Sequence, residues 1–423
     1  HSDQRPATLI FLTDGLPTTG EVDAERIVAN VGDAAPGTAR IFPFGLGYDV
    51  NTVLLDTVAQ NHRGVSGYVR PEEAIDERVS DFYAKVSTPL LADLEIDFGE
   101  IDVHDLYPYP LPDLFAGGQL IIVGRYRQGG GTTITLRGQV NGHSQSFEYD
   151  DVGFQRDGGA EFIPRLWATR KIGYLLQQIR LHGEEEELVD EIVDLSIRYG
   201  IITPYTSFLV EETELALREE GRDALADRLR IETTAMPASG QQAVERSAGE
   251  QMLSEAEAPA APDLSPGLGG NVVDQHGYEI SPVKYVGEKT FILSEGVWTD
   301  TTYDPGKMTP VSLGFGSEDY FALLAARPEW GRYFALGDHV TIVLEGTAYE
   351  IRQGEAPPLS VDSPQTGPVE TAEPSADPTR AAGPESGAGP VRASETPVEQ
   401  SLADTVAQFL LGLVNNLFVF FGG

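Results

Sequence analysis

Residues 7–14, Ala-Thr-Leu-Ile-Phe-Leu-Thr-Asp, form an unbroken apolar run that stops at Asp14 and Gly15. Such a run predicts a strand covered on both faces, with a functional loop at its carboxyl end. The next segments of the chain keep to that plan. Helical spacing over 21–31 (Val22, Ile27, Val28, Val31) leads to a second apolar strand, Ala39 to Leu46. A helix over 53–60 and a short strand around Val65–Val69 come next. Pro71 stands where a helix would begin, Glu72 and Glu73 suit its positive end, and the helix runs through Ile75, Val79, Phe82 and Val86. Strand and helix alternating over short loops predict a parallel α/β sheet.

After Pro89 the period changes to two, as in Leu94-Glu95-Ile96-Asp97-Phe98 and Thr133-Ile134-Thr135-Leu136, with turns at Gly129–Gly131 and Asn141-Gly142. Asn-Gly between such runs predicts a two-residue hairpin, and residues 88–158 are read as a β-sandwich-like module. Residues 163–200 carry two helical faces, the second closed by Gly200, and 201–210 reads as a return strand. A charged helix over 213–232 and a linker of Ala, Pro, Ser, Gly and Gln up to about 273 come after it. A compact unit over 274–354 has three alternating runs and a short amphipathic helix around Tyr320, Leu323 and Leu324. Residues 355–400 have the composition of a disordered segment. Residues 401–423 are apolar, interrupted by Gln408, Asn415 and Asn416, and are read as a helix. It docks in the protein's own fold or in an oligomer, with membrane contact as the alternative.

Charge and composition then exclude whole classes of function. The 423 residues carry 29 basic and 66 acidic side chains, a formal charge of −37, which argues against binding to nucleic acid. There is no cysteine, so disulfides, thiolate metal sites and cysteine nucleophiles are excluded. The histidines show no paired metal-binding spacing. Ser207 lacks the frame of a nucleophile elbow, and Gly129–Gly131 lacks the Lys-Ser/Thr of a phosphate loop. Tyr107-Pro108-Tyr109-Pro110 reads first as a rigid loop and second as an aromatic edge for peptides. These residues predict no enzyme; catalysis by the 274–354 unit has nothing specific behind it.

Three blocks carry a family resemblance. Leu12-Thr13-Asp14-Gly15 with Pro17-Thr18 resembles the fourth-strand loop of von Willebrand factor type A domains. Leu111-Pro112-Asp113-Leu114-Phe115 with Gly118-Gln119-Leu120, and Tyr199 to Phe208, resemble segments of inter-alpha-trypsin inhibitor heavy chains. Arg165-Leu166-Trp167-Ala168 is similar to a pattern in bacterial relatives of that family. Together they span about residues 7–212.

The resemblance implies a multidomain α/β plus β chain. Residues 1–87 would be the C-terminal half of a Rossmann-like type A domain, followed by the β-module (88–158) and a helical pair with return strand (159–212). The charged helix and linker (213–273), the small mixed α/β or β-rich module (274–354), the disordered segment (355–400) and the apolar helix (401–423) complete it. The family's Asp-x-Ser-x-Ser motif does not occur in the chain, so the chain is expected to be an N-terminally truncated fragment with a bare sheet edge. Asp14 is the one residue matching a metal-contacting position. It would contact Mg²⁺, or Mn²⁺ or Ca²⁺, in an intact parent, whereas the fragment itself is expected to bind none.

The implied function is non-enzymatic adhesion or protein binding, with a carboxylate of a protein ligand completing the metal shell, in a bacterial extracellular or cell-envelope protein. The alternative is a metal-independent structural or assembly scaffold of the envelope.

Overall fold

The first unit winds β1 (Ala7–Thr13), α1 (Ala24–Ala34), β2 (Ala39–Leu46), α2 (Thr52–Asn61), β3 (Gly67–Val69) and α3 (Ile75–Val86) into a parallel sheet of order β1-β2-β3. The computed structural model describes residues 7–86, 89–116, 118–140, 142–156, 159–183, 185–201, 221, 226–227, 237–259, 272–273, 279–280, 283–354 and 418–422. Asp23 and Asn51 start α1 and α2 by accepting the backbone N–H groups of Arg26 and Leu54. Helix α3 begins at Ile75 rather than at Pro71, which lies in the preceding turn.

Strand β2 is the centre of this unit. Ile41 packs with Leu54, Val58 and the apolar face of α1, while the Phe42 and Phe44 rings meet Phe82 edge-on. The turn after α2 crosses β2 so closely that a Cβ on Gly64 would lie 1.8 Å from the Ile41 carbonyl oxygen, so only glycine fits there. Burial of β1 on both faces is not what the structure shows. Among the described residues β1 has one strand neighbour, and Leu9, Phe11 and Leu12 are 53%, 47% and 43% exposed. An apolar run records a tolerance for burial; burial itself needs a second covering element.

Strands β4 (Pro89–Asp97), β5 (Val103–Tyr107), β6 (Leu114–Phe115), β7 (Ile122–Tyr126), β8 (Gly130–Val140) and β9 (His143–Phe154) form the second unit. Its sheets run β6-β4-β8-β9 and β18-β7-β5, where β18 is Phe418–Gly422. Between them lie Leu91, Leu114, Ile122, Ile134, Leu136 and Phe154. Val140 pairs with His143 and Gly142 has φ +82°, the tight hairpin that Asn-Gly favours.

Helices α4 (Ile163–His182) and α5 (Glu186–Tyr199) share a core built on Leu166, Trp167, Ile172, Leu176, Ile192 and Val193. Gly200, at φ +61°, closes α5 in the left-handed conformation. The expected return strand beyond Ile201, and all of the 213–232 helix except 221 and 226–227, lie outside the described residues.

Two expectations are corrected. Inside the stretch read as a linker, residues 241–254 form a helix, α6 (Gln241–Ser254), packed along α4. Its small side chains suit the place: Ala243, Val244 and Ser247 are buried, and a Cβ on Gly173 of α4 would lie 2.4 Å from the Ser254 nitrogen. The expected helix over 401–423 fails at 418–422, which pairs in parallel with β7. Phe-Val-Phe-Phe is made of strong strand formers, which suits the segment to the edge that β7 offers. Residues 355–417 lie outside the described residues.

After a two-residue ribbon of β10 (Val272–Val273) and β11 (Glu279–Ile280), a six-stranded mixed sheet spans β12 (Val283–Val286), β13 (Lys289–Ser294), β14 (Val297–Asp300), β15 (Val311–Gly314), β16 (Val340–Leu344) and β17 (Thr347–Arg352). Helix α7 (Glu318–Ala326), a 3-10 turn and α8 (Gly331–Phe334) cover a core of Phe291, Trp298, Trp330, Phe334, Val340 and Ile342. This unit is tied to the end of α5. The Tyr285 hydroxyl donates to the Gly200 carbonyl and Thr301 Oγ1 to the Arg198 carbonyl, each at 2.9 Å.

Candidate functional site

Asp14 lies just past β1 at its carboxyl end, the side of a parallel sheet where ligands bind. Its side chain is exposed, as are those of Leu12 and Leu16 on either side of it in the chain. Thr13 Oγ1, the nearest hydroxyl in sequence, donates to the Gly15 carbonyl at 3.2 Å. Among the described residues, no three His, Asp or Glu side chains converge in a group able to hold a metal ion. Mg²⁺ wants near-octahedral oxygen coordination, and one exposed carboxylate falls short of it. The described residues therefore do not fit a resident divalent ion on their own.

A cleft of about 370 Å³ opens elsewhere, where α2, the loop after β5, α4 and α6 meet. Its rim is the Tyr107-Pro108-Tyr109-Pro110 segment, in which both Tyr-Pro bonds are cis. The Tyr174 ring of α4 stands 5.5 Å from Tyr107 and 6.2 Å from Tyr109, which is 65% exposed. The rim thus sets the exposed Tyr109 ring, packed on Tyr174, between two prolines. Deeper in, the buried Arg170 guanidinium donates to the carbonyls of Ala256, Tyr107 and Ile121. Burial, partly offset by the charges of Glu257 and Glu255, pulls its pKa down to about 10.

Behind the cleft lies a buried ionic cluster with no motif in the sequence to announce it. Arg180 of α4 reaches Asp56 of α2 and Glu250 of α6, each at 2.6 Å. Asp56 also accepts the Ser247 hydroxyl at 2.6 Å, the Tyr68 hydroxyl at 2.5 Å, and the Ser66 hydroxyl. Burial opposes the Arg180 charge, yet Glu250 and Asp56 hold its pKa above the ordinary arginine value. For Tyr68, burial and then the Asp56 charge push the phenol well above 10.

A second cluster ties the first unit to the β-module. Arg40 of β2, 2% exposed, bonds Asp113 at 2.6 Å and Asp93 at 2.8 Å, and Arg63 also pairs with Asp93. Asp113 belongs to the Leu-Pro-Asp-Leu-Phe block, so that block is where the two units are joined. The only sequence signals for these clusters are charged residues inside apolar elements: Arg40 within β2, and Arg170 and Arg180 on α4.

Among the described residues the histidines do not gather. His62 Nδ1 contacts the Val58 carbonyl, and His182 Nε2 contacts Gln60 Oε1 at 3.2 Å. Among the described residues no helix is long and apolar enough to cross a membrane.

No family model matches the chain. It is 28% identical over 240 residues to inter-alpha-trypsin inhibitor heavy chain H3 of Mus musculus, covering 53% of this chain and 26% of that protein. The Homo sapiens H3 chain is 27% identical over 254 residues, covering 56% of this chain and 28% of the relative. The Homo sapiens H4 chain is 26% identical over 218 residues, covering 49% and 23%. The chain thus spans about a quarter of the length of these relatives. Among solved structures, a von Willebrand factor type A protein from Catenulispora acidiphila overlaps 62% of this chain and 67% of its own at 14% identity, with a TM-score of 0.32. The type A paralogue VWA2 from Sulfolobus acidocaldarius overlaps 54% and 63% at 16% identity, with a TM-score of 0.25. Both overlaps are too loose to support conclusions about the fold. The sequence relatives agree with the resemblance carried by residues 111–120 and 199–208: over about half its length, this chain is a homologue of the inter-alpha-trypsin inhibitor heavy chains.

Proposed function

We propose that the chain is a non-enzymatic protein-binding module of adhesion type, which contacts its ligand through the loop at the carboxyl end of β1. One observation carries this reading: Asp14 is exposed at that end, between Leu12 and Leu16, which are 43% and 47% exposed. An acidic group among accessible apolar side chains suits contact with a protein surface. The homology to inter-alpha-trypsin inhibitor heavy chains supports a protein-binding role, and we place the chain in an extracellular or envelope protein of a bacterium.

Divalent-ion assistance enters the proposal only for an assembly in which residues beyond the described ones add oxygen ligands to Asp14. Such an ion would offer an open position to a ligand carboxylate. Isothermal titration of the full chain with Mg²⁺ tests this half. A heat abolished by Asp14→Ala supports assistance, and no heat rejects it for this chain. The protein-contact half is tested by photo-crosslinking from position 16 in the source cell, then re-testing the captured protein in purified form. Undiminished binding by Asp14→Ala and Leu16→Ser would reject the loop as the contact.

A second reading, a metal-independent scaffold, is favoured by the buried Arg40 and Arg180 clusters, which brace the units against one another. It predicts partner binding that chelators leave intact.

A further inference from the structure

Asp14 is not among the residues that line the cleft of about 370 Å³, so the β1 loop makes no use of that cleft. Its volume falls in the range of pockets that hold a small ligand or a few residues of a peptide. At the rim Tyr109 is 65% exposed, and its ring meets Tyr174 edge-on at 84°, which leaves an aromatic face uncovered. Pro108 and Pro110 flank it, and Leu111 and Pro112 continue the apolar ridge.

The charges that line the cleft are not equally available. Arg63 is paired with Asp93, Arg170 is buried and donates to three backbone carbonyls, and Arg180 is held by Asp56 and Glu250. Glu255 and Glu257 also line the cleft, and both are exposed. An incoming ligand therefore meets negative charge first, which suits a basic group.

The interior asks for something else. The Arg180 side chain is 5% exposed, and its Nη1 has no hydrogen-bond partner among the described residues. A buried donor of this kind gains from an acceptor. A carboxylate is a poor one, because it would enter past Glu255 and Glu257 and stand beside Asp56 and Glu250. A neutral carbonyl meets no such repulsion. Gln119 and Gln177, which also line the cleft, each offer a donor and an acceptor on one planar amide, the complement of a peptide unit.

We propose that the cleft binds a proline-rich segment of another protein that carries Lys or Arg beside its prolines. Such a segment holds an extended left-handed helix before it binds, so little is lost on ordering it, and its rings dock on aromatic grooves. Its prolines lie on the Tyr109 face, a backbone carbonyl accepts from Arg180 Nη1, and the basic residue meets Glu255 and Glu257. An acidic oligosaccharide would be repelled by those two carboxylates, and a neutral one would leave them unused. The site does not depend on Asp14, the β1 loop or a metal, so the two binding surfaces stand or fall separately.

The test is fluorescence anisotropy of the full chain with a labelled peptide of six prolines carrying Arg at both ends. A peptide of equal charge with alanine for proline is the control for simple attraction to an acidic protein. The proline peptide should bind at least about tenfold more tightly than the control, since its shape is set in advance. Tyr109→Ala should weaken it by about tenfold, the usual loss for an aromatic anchor. Glu255→Gln combined with Glu257→Gln should flatten the dependence on salt. Equal affinity for the two peptides, undiminished binding by Tyr109→Ala, or no saturable binding overturns the proposal. So does a neutral oligosaccharide that binds through Tyr109 where the peptide does not. Hydrogen exchange of the unsubstituted chain covers the case in which a variant misfolds. The peptide should slow exchange over residues 107–112 and 251–257, and protection confined to other segments overturns the assignment.

Discussion

Arg180 on α4 holds Asp56 on α2 through an Nη2–Oδ2 contact of 2.6 Å, with both side chains no more than 5% exposed. The same guanidinium holds Glu250 on α6, so one cation joins three helices. Replacing it with a neutral group leaves the buried Asp56 carboxylate without a cation and leaves Glu250 to Arg246, at 2.9 Å. Arg180→Met should therefore cost about 3–5 kcal/mol in urea unfolding. Faster hydrogen exchange over α6 should accompany the loss. A cost below about 1 kcal/mol would mean that solvent reaches the cluster.

The contact between α4 and α6 depends on a missing side chain. At Gly173 a Cβ would meet the Ser254 nitrogen at 2.4 Å and the Leu253 Cβ at 2.8 Å. Both obstacles sit on or next to backbone, which cannot swing aside as a side-chain tip can. Gly173→Ala should destabilise by about 1–3 kcal/mol despite the higher helix propensity of alanine. Thermal unfolding checks this, and a neutral or stabilising result would place α6 farther from α4.

Stability should fall in alkali, with Tyr68 as one named cause. Burial and the Asp56 charge raise its folded pKa above the ordinary 10. Its contribution is complete below pH 10 and is lost as pH rises through the folded value, because the unfolded phenol gives up its proton first. Arg170 works in the opposite direction. Its folded pKa of about 10 lies below the ordinary 12.5, so between these values the unfolded chain binds more protons and its contribution to stability rises with pH. The Tm of the unsubstituted chain should drop above pH 10 and that of Tyr68→Phe should drop less steeply; parallel slopes would remove Tyr68 from the account.

The open face of β1 makes a different demand. Leu9 and Phe11 are 53% and 47% exposed, so changing both to lysine should shift stability by no more than about 0.5 kcal/mol each. It should also reduce dye binding and self-association, since lysine on an edge strand opposes further pairing. Loss of folding in the double variant would show that another element covers this face.

Much of the framework is legible in the chain itself. The strand expected over Ala39 to Leu46 is β2 with those bounds, and Gly200 closes α5 where the helical period ends. Asp14 at the end of an apolar strand, and the Leu-Pro-Asp-Leu-Phe block that marks the relatives, are equally local features. Each arises from steric preference and side-chain period over a few neighbouring residues.

Tertiary structure decided the rest. β1 and β2 have similar apolar sequences, yet β2 is buried between two strands and β1 lies at an edge. Residues 241–254 have a linker's composition, and they form a helix because Gly173 lets them approach α4. Phe418–Gly422 is a strand because β7 offers it an edge. Asp56 and Arg180, 124 residues apart, meet only when three helices close over them. Local preferences set which elements the chain can form. Burial of apolar faces and the cost of leaving a charge unpaired away from water depend on what lies across the core, and that is settled only once the chain has closed on itself.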